Sequence, residues 1–138
     1  MSNIPAIELL SPGEIRAFQF QKVKSALQYL ESRSPFYQQL FRDHNISTGS
    51  VQRWEDFTRI PTTSKDDLQV RNWDFLCVPK SEIVEYTSTS GTLGKPVTIG
   101  LTKMDLDRLA YNESISFACA DGSSDDLYQL MLTLDRQF

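Results

Sequence analysis

The sequence holds 138 residues, the length of one modest domain able to bury a core of its own. Hydrophobic content of 40% and charged content of 23% fit a soluble globular protein, and a formal net charge of −4 without a basic stripe gives no basis for nucleic-acid binding. No run of about eighteen apolar residues occurs, which argues against a helical membrane span. Met1-Ser2-Asn3-Ile4-Pro5 lacks the basic region and apolar core of a signal peptide, so the chain reads as cytoplasmic. Cys77 and Cys119 are too few and too far apart for a disulfide scaffold or a metal site. Both sit among apolar neighbours and are expected to be small buried hydrophobes.

In chain order, Ser11-Pro12-Gly13-Glu14 is a helix start: Ser11 caps, Pro12 fits the first turn and Glu14 stands at the capping-box position. Ile15, Phe18, Val23, Ala26, Leu27 and Leu30 recur near the helical period, predicting a helix to Arg33. Ser34-Pro35 restarts a shorter helix with an aromatic-rich face, Phe36, Tyr37, Leu40 and Phe41, which Asp43-His44-Asn45 ends. His44 has no second histidine beside it and is expected at the surface. Thr48-Gly49-Ser50 reads as a turn, and Trp54 to Phe57 as a short helix whose aromatics dock on the first two helices. Thr58 to Thr63, with Pro61, is predicted extended. Thr63 with Asp66, or Ser64 with Asp67, then opens another short helix.

From Asn72 the texture changes. Trp73, Phe75, Leu76 and Val78, then Ile83, Val84 and Tyr86, read as short strands or extended chain. Trp54 and Trp73 are expected to join the helical region to a sheet. Val97 to Leu101 is a partner strand, and Thr102 with Asp105 opens a helix to Ala118 whose Leu106, Leu109, Ala110, Ile115 and Phe117 are expected to face largely inward. A polar turn at Asp121–Asp126 precedes Leu127–Leu134, a mostly apolar run that fits a buried strand. A strand that opens a new unit and then stops predicts a fragment of something longer. The layout is an α/β chain: a helical region, residues 1–71, leading into the first elements of an α/β unit, residues 72–138.

The most informative stretch is Thr87-Ser88-Thr89-Ser90-Gly91-Thr92-Leu93-Gly94-Lys95-Pro96, lying between two apolar runs. Glycine lets backbone amides converge without a Cβ in the way, and such a nest binds anionic oxygens. The hydroxyls add donors, and Lys95 adds a mobile point charge suited to a polyphosphate. By composition alone the stretch also fits an ordinary hairpin turn. It is not a Walker A loop: Gly91 and Gly94 are too close, and Pro96 stands where that loop needs a hydroxyl residue and a helix start. Asp66, Asp67, Asp105 and Asp107 lie near helix N-termini, where capping accounts for them, so no metal ligand is assigned. Tyr86 is read as a packing tyrosine of the strand before the loop.

Thr89 to Pro96 resembles the phosphate-binding signature of the adenylate-forming (acyl-CoA synthetase) superfamily. Within it the chain looks most like the phenylacetate-CoA ligase family. Ser34-Pro35-Phe36-Tyr37 with Phe41, Ile60 to Leu68, and Gly100-Leu101-Thr102 with Asp105-Leu106 resemble further landmarks in family order. The resemblance implies the N-terminal part of the large domain of a longer enzyme, truncated here. It also implies a two-step reaction: a carboxylic acid is activated by ATP with Mg²⁺, and the acyl-adenylate passes to coenzyme A. By this carry-over Thr89, Ser90, Gly91, Thr92, Gly94 and Lys95 bind the nucleotide phosphates, with Lys95 in the catalytic role. Leu93 departs from the family, which usually has threonine there. Two alternatives stay open: an adenylating enzyme that uses a protein or amine acceptor, and a non-catalytic interaction domain with a degenerate loop. The fragment alone is expected to be inactive. An exposed sheet edge or the Leu127–Leu134 run would favour a homodimer promoted by truncation.

Overall fold

The computed structural model describes residues 5–89 and 96–129. Helix α1 spans Pro12–Arg33, and its start is the expected capping box. The Ser11 hydroxyl accepts the Glu14 N–H, while the Glu14 carboxylate accepts the Ser11 N–H at 2.9 Å. The Ser11 hydroxyl, donating to the same carboxylate at 2.6 Å, and the Ser11 N–H hold the Glu14 carboxyl below its ordinary value. Helix α2, Pro35–Asp43, begins after a single extended residue, Ser34, because the ring of Pro35 disfavours a helical conformation in the residue before it. The helix ends in a Schellman motif. Asn45 takes φ 54°, its N–H donates to the Arg42 carbonyl at 3.1 Å, and the Ile46 N–H donates to the Phe41 carbonyl at 2.8 Å.

The core sits where α1 and α2 cross the chain that follows them. Leu27, Phe41 and Val51 form its centre, with Phe20, Tyr37, Leu40, Ile46, Phe57 and Ile60 packed around. A 3-10 turn at Thr48–Ser50 buries Thr48, whose N–H and hydroxyl both donate to the Glu31 carboxylate of α1. A second, Trp54–Arg59, sets Trp54 and Phe57 edge-on to Phe20 at 5.5 and 6.1 Å. That turn runs two residues into the stretch expected to be extended. Trp54 therefore anchors to α1, with Arg16 lying 5.4 Å from its ring centre, and not to the sheet as expected. Helix α3, Lys65–Val70, opens on Ser64 and Asp67, the second of the two possible capping boxes.

Residues Asn72–Phe75 form a 3-10 turn where short strands or extended chain were expected. Apolar spacing over so few residues cannot separate the two, and tertiary bonds decide. The buried Ser34 hydroxyl donates to the Asp74 carbonyl at 2.9 Å, and Phe75 stacks on Phe36 with ring centres 3.9 Å apart. Arg71 fastens the turn from outside through the Asp74 carboxylate at 2.8 Å.

A further 3-10 turn, Lys80–Glu82, leads into strand β1, Ile83–Ser88, which pairs antiparallel with β2, Thr98–Thr102. The register sets Ser88 opposite Thr98 and Tyr86 opposite Gly100, with an irregularity between Ile83 and Glu85. Thr102 ends β2 and caps helix α4, Lys103–Cys119, through the expected box with Asp105. The helix closes on a second Schellman motif with Asp121 at φ 60°, the Asp121 and Gly122 N–H groups reaching Ala118 and Phe117. The architecture is thus a helical region followed by an antiparallel hairpin and a helix.

Three expectations fail in this second half. The apolar face of α4 does not point inward: Leu109, Ala110 and Phe117 are exposed, and Leu106 and Ile115 are only half-buried, because no described element covers the helix beyond its first turns. Cys119 is exposed for the same reason, and Cys77 is half-buried. Leu127 to Gln129, the described start of the apolar run, form no strand. Leu127 is fully exposed, and Tyr128 instead packs on Phe117 at 4.8 Å with its hydroxyl donating to the Ser123 carbonyl. Residues 130–134 lie outside the described residues. The polar turn before them does form, Asp126 accepting the Ser123 N–H at 2.6 Å.

Candidate functional site

The hydroxyl- and glycine-rich loop joins β1 to β2, and the structure defines both ends of it. Beyond the last paired residues, Ser88 and Thr98, the Thr89 N–H donates to the Val97 carbonyl at 3.1 Å. The Val97 N–H donates back to the Thr89 side-chain hydroxyl oxygen, also at 3.1 Å. This reciprocal pair extends the ladder by one step and makes a closed neck. Val97 is 5% exposed and plugs the neck from beneath. Of the residues expected to bind phosphate, Thr89 is placed here, its hydroxyl oxygen accepting the Val97 N–H. Ser90, Gly91, Thr92, Gly94 and Lys95 lie outside the described residues.

Under the neck runs a cavity of about 410 Å³. Leu68, Trp73, Val97 and Ile99 give it apolar walls, and the basic Lys65 and the hydroxyl-bearing Thr89 belong to the same lining. Apolar walls with a few converging polar groups are the usual make-up of a small-molecule site. Gly100 shapes the floor. A Cβ there would stand 2.6 Å from Cδ1 of Ile83, so a larger residue would displace that side chain. Trp73 meets Tyr86 of β1 edge-on at 6.1 Å, and the Lys80 ammonium lies 4.4 Å from the Trp73 ring centre. Tyr86 is half exposed and packs on Trp73, as expected of a strand tyrosine.

A second cavity, about 750 Å³, lies between α1, α4 and the chain from Phe75 to Glu82, and shares Phe75, Leu76 and Gly100 with the first. Cys77 lines it, and burial pushes its thiol above the ordinary value, which favours the unreactive protonated form. Asp105 also lines it. The N–H and hydroxyl of Thr102 hold its carboxyl below the ordinary range, and Arg108 reaches it at 2.7 Å. Asp67 is bound in the same way by Ser64, and Asp107 pairs with Lys103. Asp67, Asp105 and Asp107 are thus engaged in capping and helix-surface pairs, and among the described residues no group of three His, Cys, Asp or Glu side chains converges to hold a metal.

Lys65 and Asn72 belong to the site and were not among the residues expected there. Lys65 stood inside a recognised stretch, Ile60 to Leu68, but nothing in its neighbours indicated that α3 would bring it to this cavity. Asn72 carried no signal, since its partner, the Thr98 carbonyl at 2.9 Å, is 26 residues away.

This order of elements, a helical region followed by a loop-bearing hairpin and a capped helix, is the start of the large domain of an adenylate-forming enzyme. A 2-hydroxyisobutyryl-CoA ligase, solved in complex with 2-HIB-AMP and CoA, matches with a TM-score of 0.70 and 27% identity, covering 76% of this chain and 24% of that one. In sequence, the chain is 34% identical to a phenylacetate-coenzyme A ligase of Thermus thermophilus over 84% of its own length and 26% of the relative. It is 30% identical to that of Escherichia coli over 91% of its length and 29% of the relative. No protein-family model matches. These likenesses place the chain in the adenylate-forming, acyl-CoA ligase superfamily. It spans about a quarter of the length of the curated relatives it matches. No described helix is long and apolar enough to cross a membrane.

Proposed function

We propose that the chain is the N-terminal part of an AMP-forming carboxylate–CoA ligase of the phenylacetate-CoA ligase type, working in the cytoplasm on an aryl acid such as phenylacetate. The observation that carries this reading is the loop sequence Thr89–Pro96 mounted on a closed hairpin neck, within a fold and sequence like those of CoA ligases. A division at residue 71 between a helical region and the start of the nucleotide-binding unit belongs to the same proposal.

In the reaction proposed, a carboxylate oxygen attacks the α-phosphorus of ATP, an O–P bond forms, and the bond to pyrophosphate breaks. The thiol sulfur of coenzyme A then attacks the acyl carbon, its proton is lost, and the bond to AMP breaks. Negative charge grows on the departing pyrophosphate in the first step. The role assigned to Ser90, Thr92 and Lys95 is to supply donors and a positive charge there, with Gly91 and Gly94 letting the backbone wrap the phosphates and Thr89 closing the loop behind them. Preorganised donors need no rearrangement as that charge develops. Asp67, Asp105 and Asp107 are engaged in caps and a surface pair, so Mg²⁺ is taken to arrive with the nucleotide and no residue here is assigned to it. Leu93 removes one hydroxyl from the loop.

The test is carboxylate-dependent ATP–pyrophosphate exchange by the complete polypeptide that carries this sequence, across a panel of arylacetates and fatty acids, beside Lys95→Ala. Exchange with an arylacetate that collapses in the variant is the expected result. Exchange without transfer to coenzyme A would shift the acceptor to a protein thiol or an amine. Absence of both exchange and ATP binding would sink the ligase reading and leave a non-catalytic interaction domain. Sedimentation equilibrium checks the accompanying proposal of a homodimer.

A further inference from the structure

We propose that Asn72 is a positioning residue that fixes the neck of the nucleotide loop to the helical body. The geometry has three links. The body holds the Asn72–Phe75 turn from two sides, through the Ser34 hydroxyl on the Asp74 carbonyl at 2.9 Å and the Phe36–Phe75 stack at 3.9 Å. The half-buried Asn72 side-chain amide then donates to the Thr98 carbonyl at 2.9 Å. Thr98 is the first residue of β2, paired with Ser88, and directly follows Val97 of the neck.

The inner side of the neck is closed by the exchange between Thr89 and Val97. With β1 on that side, β2 is left with an outer edge that carries no described strand. An edge carbonyl beside a loop is free to tilt unless something holds it, and Asn72 supplies the donor there. A two-stranded ribbon is marginal by itself and twists readily, so an outside tether matters more here than it would in a wide sheet. The turn also touches the other strand, through Trp73 on Tyr86, yet that is a ring contact and leaves the direction of the neck unset. A directed amide bond sets it. The link to nucleotide handling rests on the function proposed above; the tether to the neck does not.

The experiment compares wild type with Asn72→Ala, Asn72→Asp and Asn72→Gln in the complete polypeptide. Amide hydrogen exchange is read in the segment 96–102 and in α1 and α2, and KM for MgATP is read beside KM for the carboxylate. Loss of one ordinary hydrogen bond corresponds to about a 2- to 12-fold change. Asn72→Ala is expected to speed exchange in 96–102 by that factor with α1 and α2 unchanged, and to raise KM for MgATP without moving KM for the carboxylate. Asn72→Asp, which puts an anion against the Thr98 carbonyl, should do more, and Asn72→Gln, which keeps the donor, should recover part of the loss. Unchanged exchange in 96–102 would overturn the proposal, as would an equal rise throughout the helices, which would make Asn72 an ordinary stabilising residue. A neck that responds in a protein that never binds MgATP would uphold the tether and remove the nucleotide reading instead.

Discussion

The helical half and the hairpin half differ in what they bury. Leu27, Phe36, Phe41 and Val51 are buried in the first, and Val97 is the only described apolar residue so buried in the second. Helices α1 and α2 meet each other and the turns that follow, so their apolar faces are covered within the chain. Among the described residues, helix α4 touches β2 at its start and is met near its end by the Tyr128 ring on Phe117, while Met104, Leu109, Tyr111 and Phe117 stay exposed, as do Val84 and Tyr86 on β1. The loop is thus carried by the half with little core of its own, and the turn Asn72–Phe75 is a described link from its hairpin to the well-packed half.

The largest effect should come from emptying the helical core. Phe41→Ala, at a position 2% exposed, is expected to cost about 3–5 kcal/mol and to melt the helical half, read by urea denaturation. A loss under 1 kcal/mol would show that this half is not the stable one. Lys95→Ala is expected to slow carboxylate-dependent pyrophosphate exchange by about 100-fold, the usual effect of removing one donor from a charge-stabilising site, with the urea midpoint unchanged.

Ser34 joins the two halves, capping α2 by accepting the Tyr37 N–H while donating to the Asp74 carbonyl. Ser34→Ala removes the cap and strands a carbonyl, at a cost of about 1–3 kcal/mol. Hydrogen exchange should rise at the Asn72–Phe75 turn as well as at the start of α2, and a rise at α2 alone would mean the turn holds without it. Leu109→Ala on α4 sharpens the contrast. At a site already 47% exposed the loss should stay below about 1 kcal/mol, and a core-sized loss would reveal that the face is covered in solution.

The smallest effect per group is electrostatic. Glu14, Asp67 and Asp105 have carboxyls held below their ordinary values by the N–H and hydroxyl groups of Ser11, Ser64 and Thr102. Asp56 is lowered mainly by the Gln52 N–H. A carboxyl with a lowered folded value stabilises the fold above its ordinary value, 4.5 for Glu14 and 3.8 for the aspartates, and that contribution is lost as pH falls through the folded value. The thermal midpoint should therefore be flat from neutrality to about pH 5 and decline below pH 4. Asp67→Asn should flatten part of that decline.

Much of this protein was legible without coordinates, because helix starts are local chemistry. A hydroxyl residue followed three positions later by a carboxylate satisfies donors within one turn, so Ser11 and Thr102 announced α1 and α4 from their own neighbours, and Thr63 or Ser64 announced α3, with the structure choosing Ser64. Pro35 broke α1 from α2 equally locally, and the loop between two apolar runs announced its hairpin. The tertiary structure alone decided what depends on distant partners. Ser34 and Phe36 bent Asn72–Phe75 into a turn from some 40 residues away, and Phe20 drew Trp54 to α1 and away from the sheet. Periodicity gave α4 an apolar face but could not say whether anything covers it, nor that Cys119 would stand exposed at its end. A helix reads its caps from adjacent residues, whereas burial needs a second surface, and only the folded chain shows where one is.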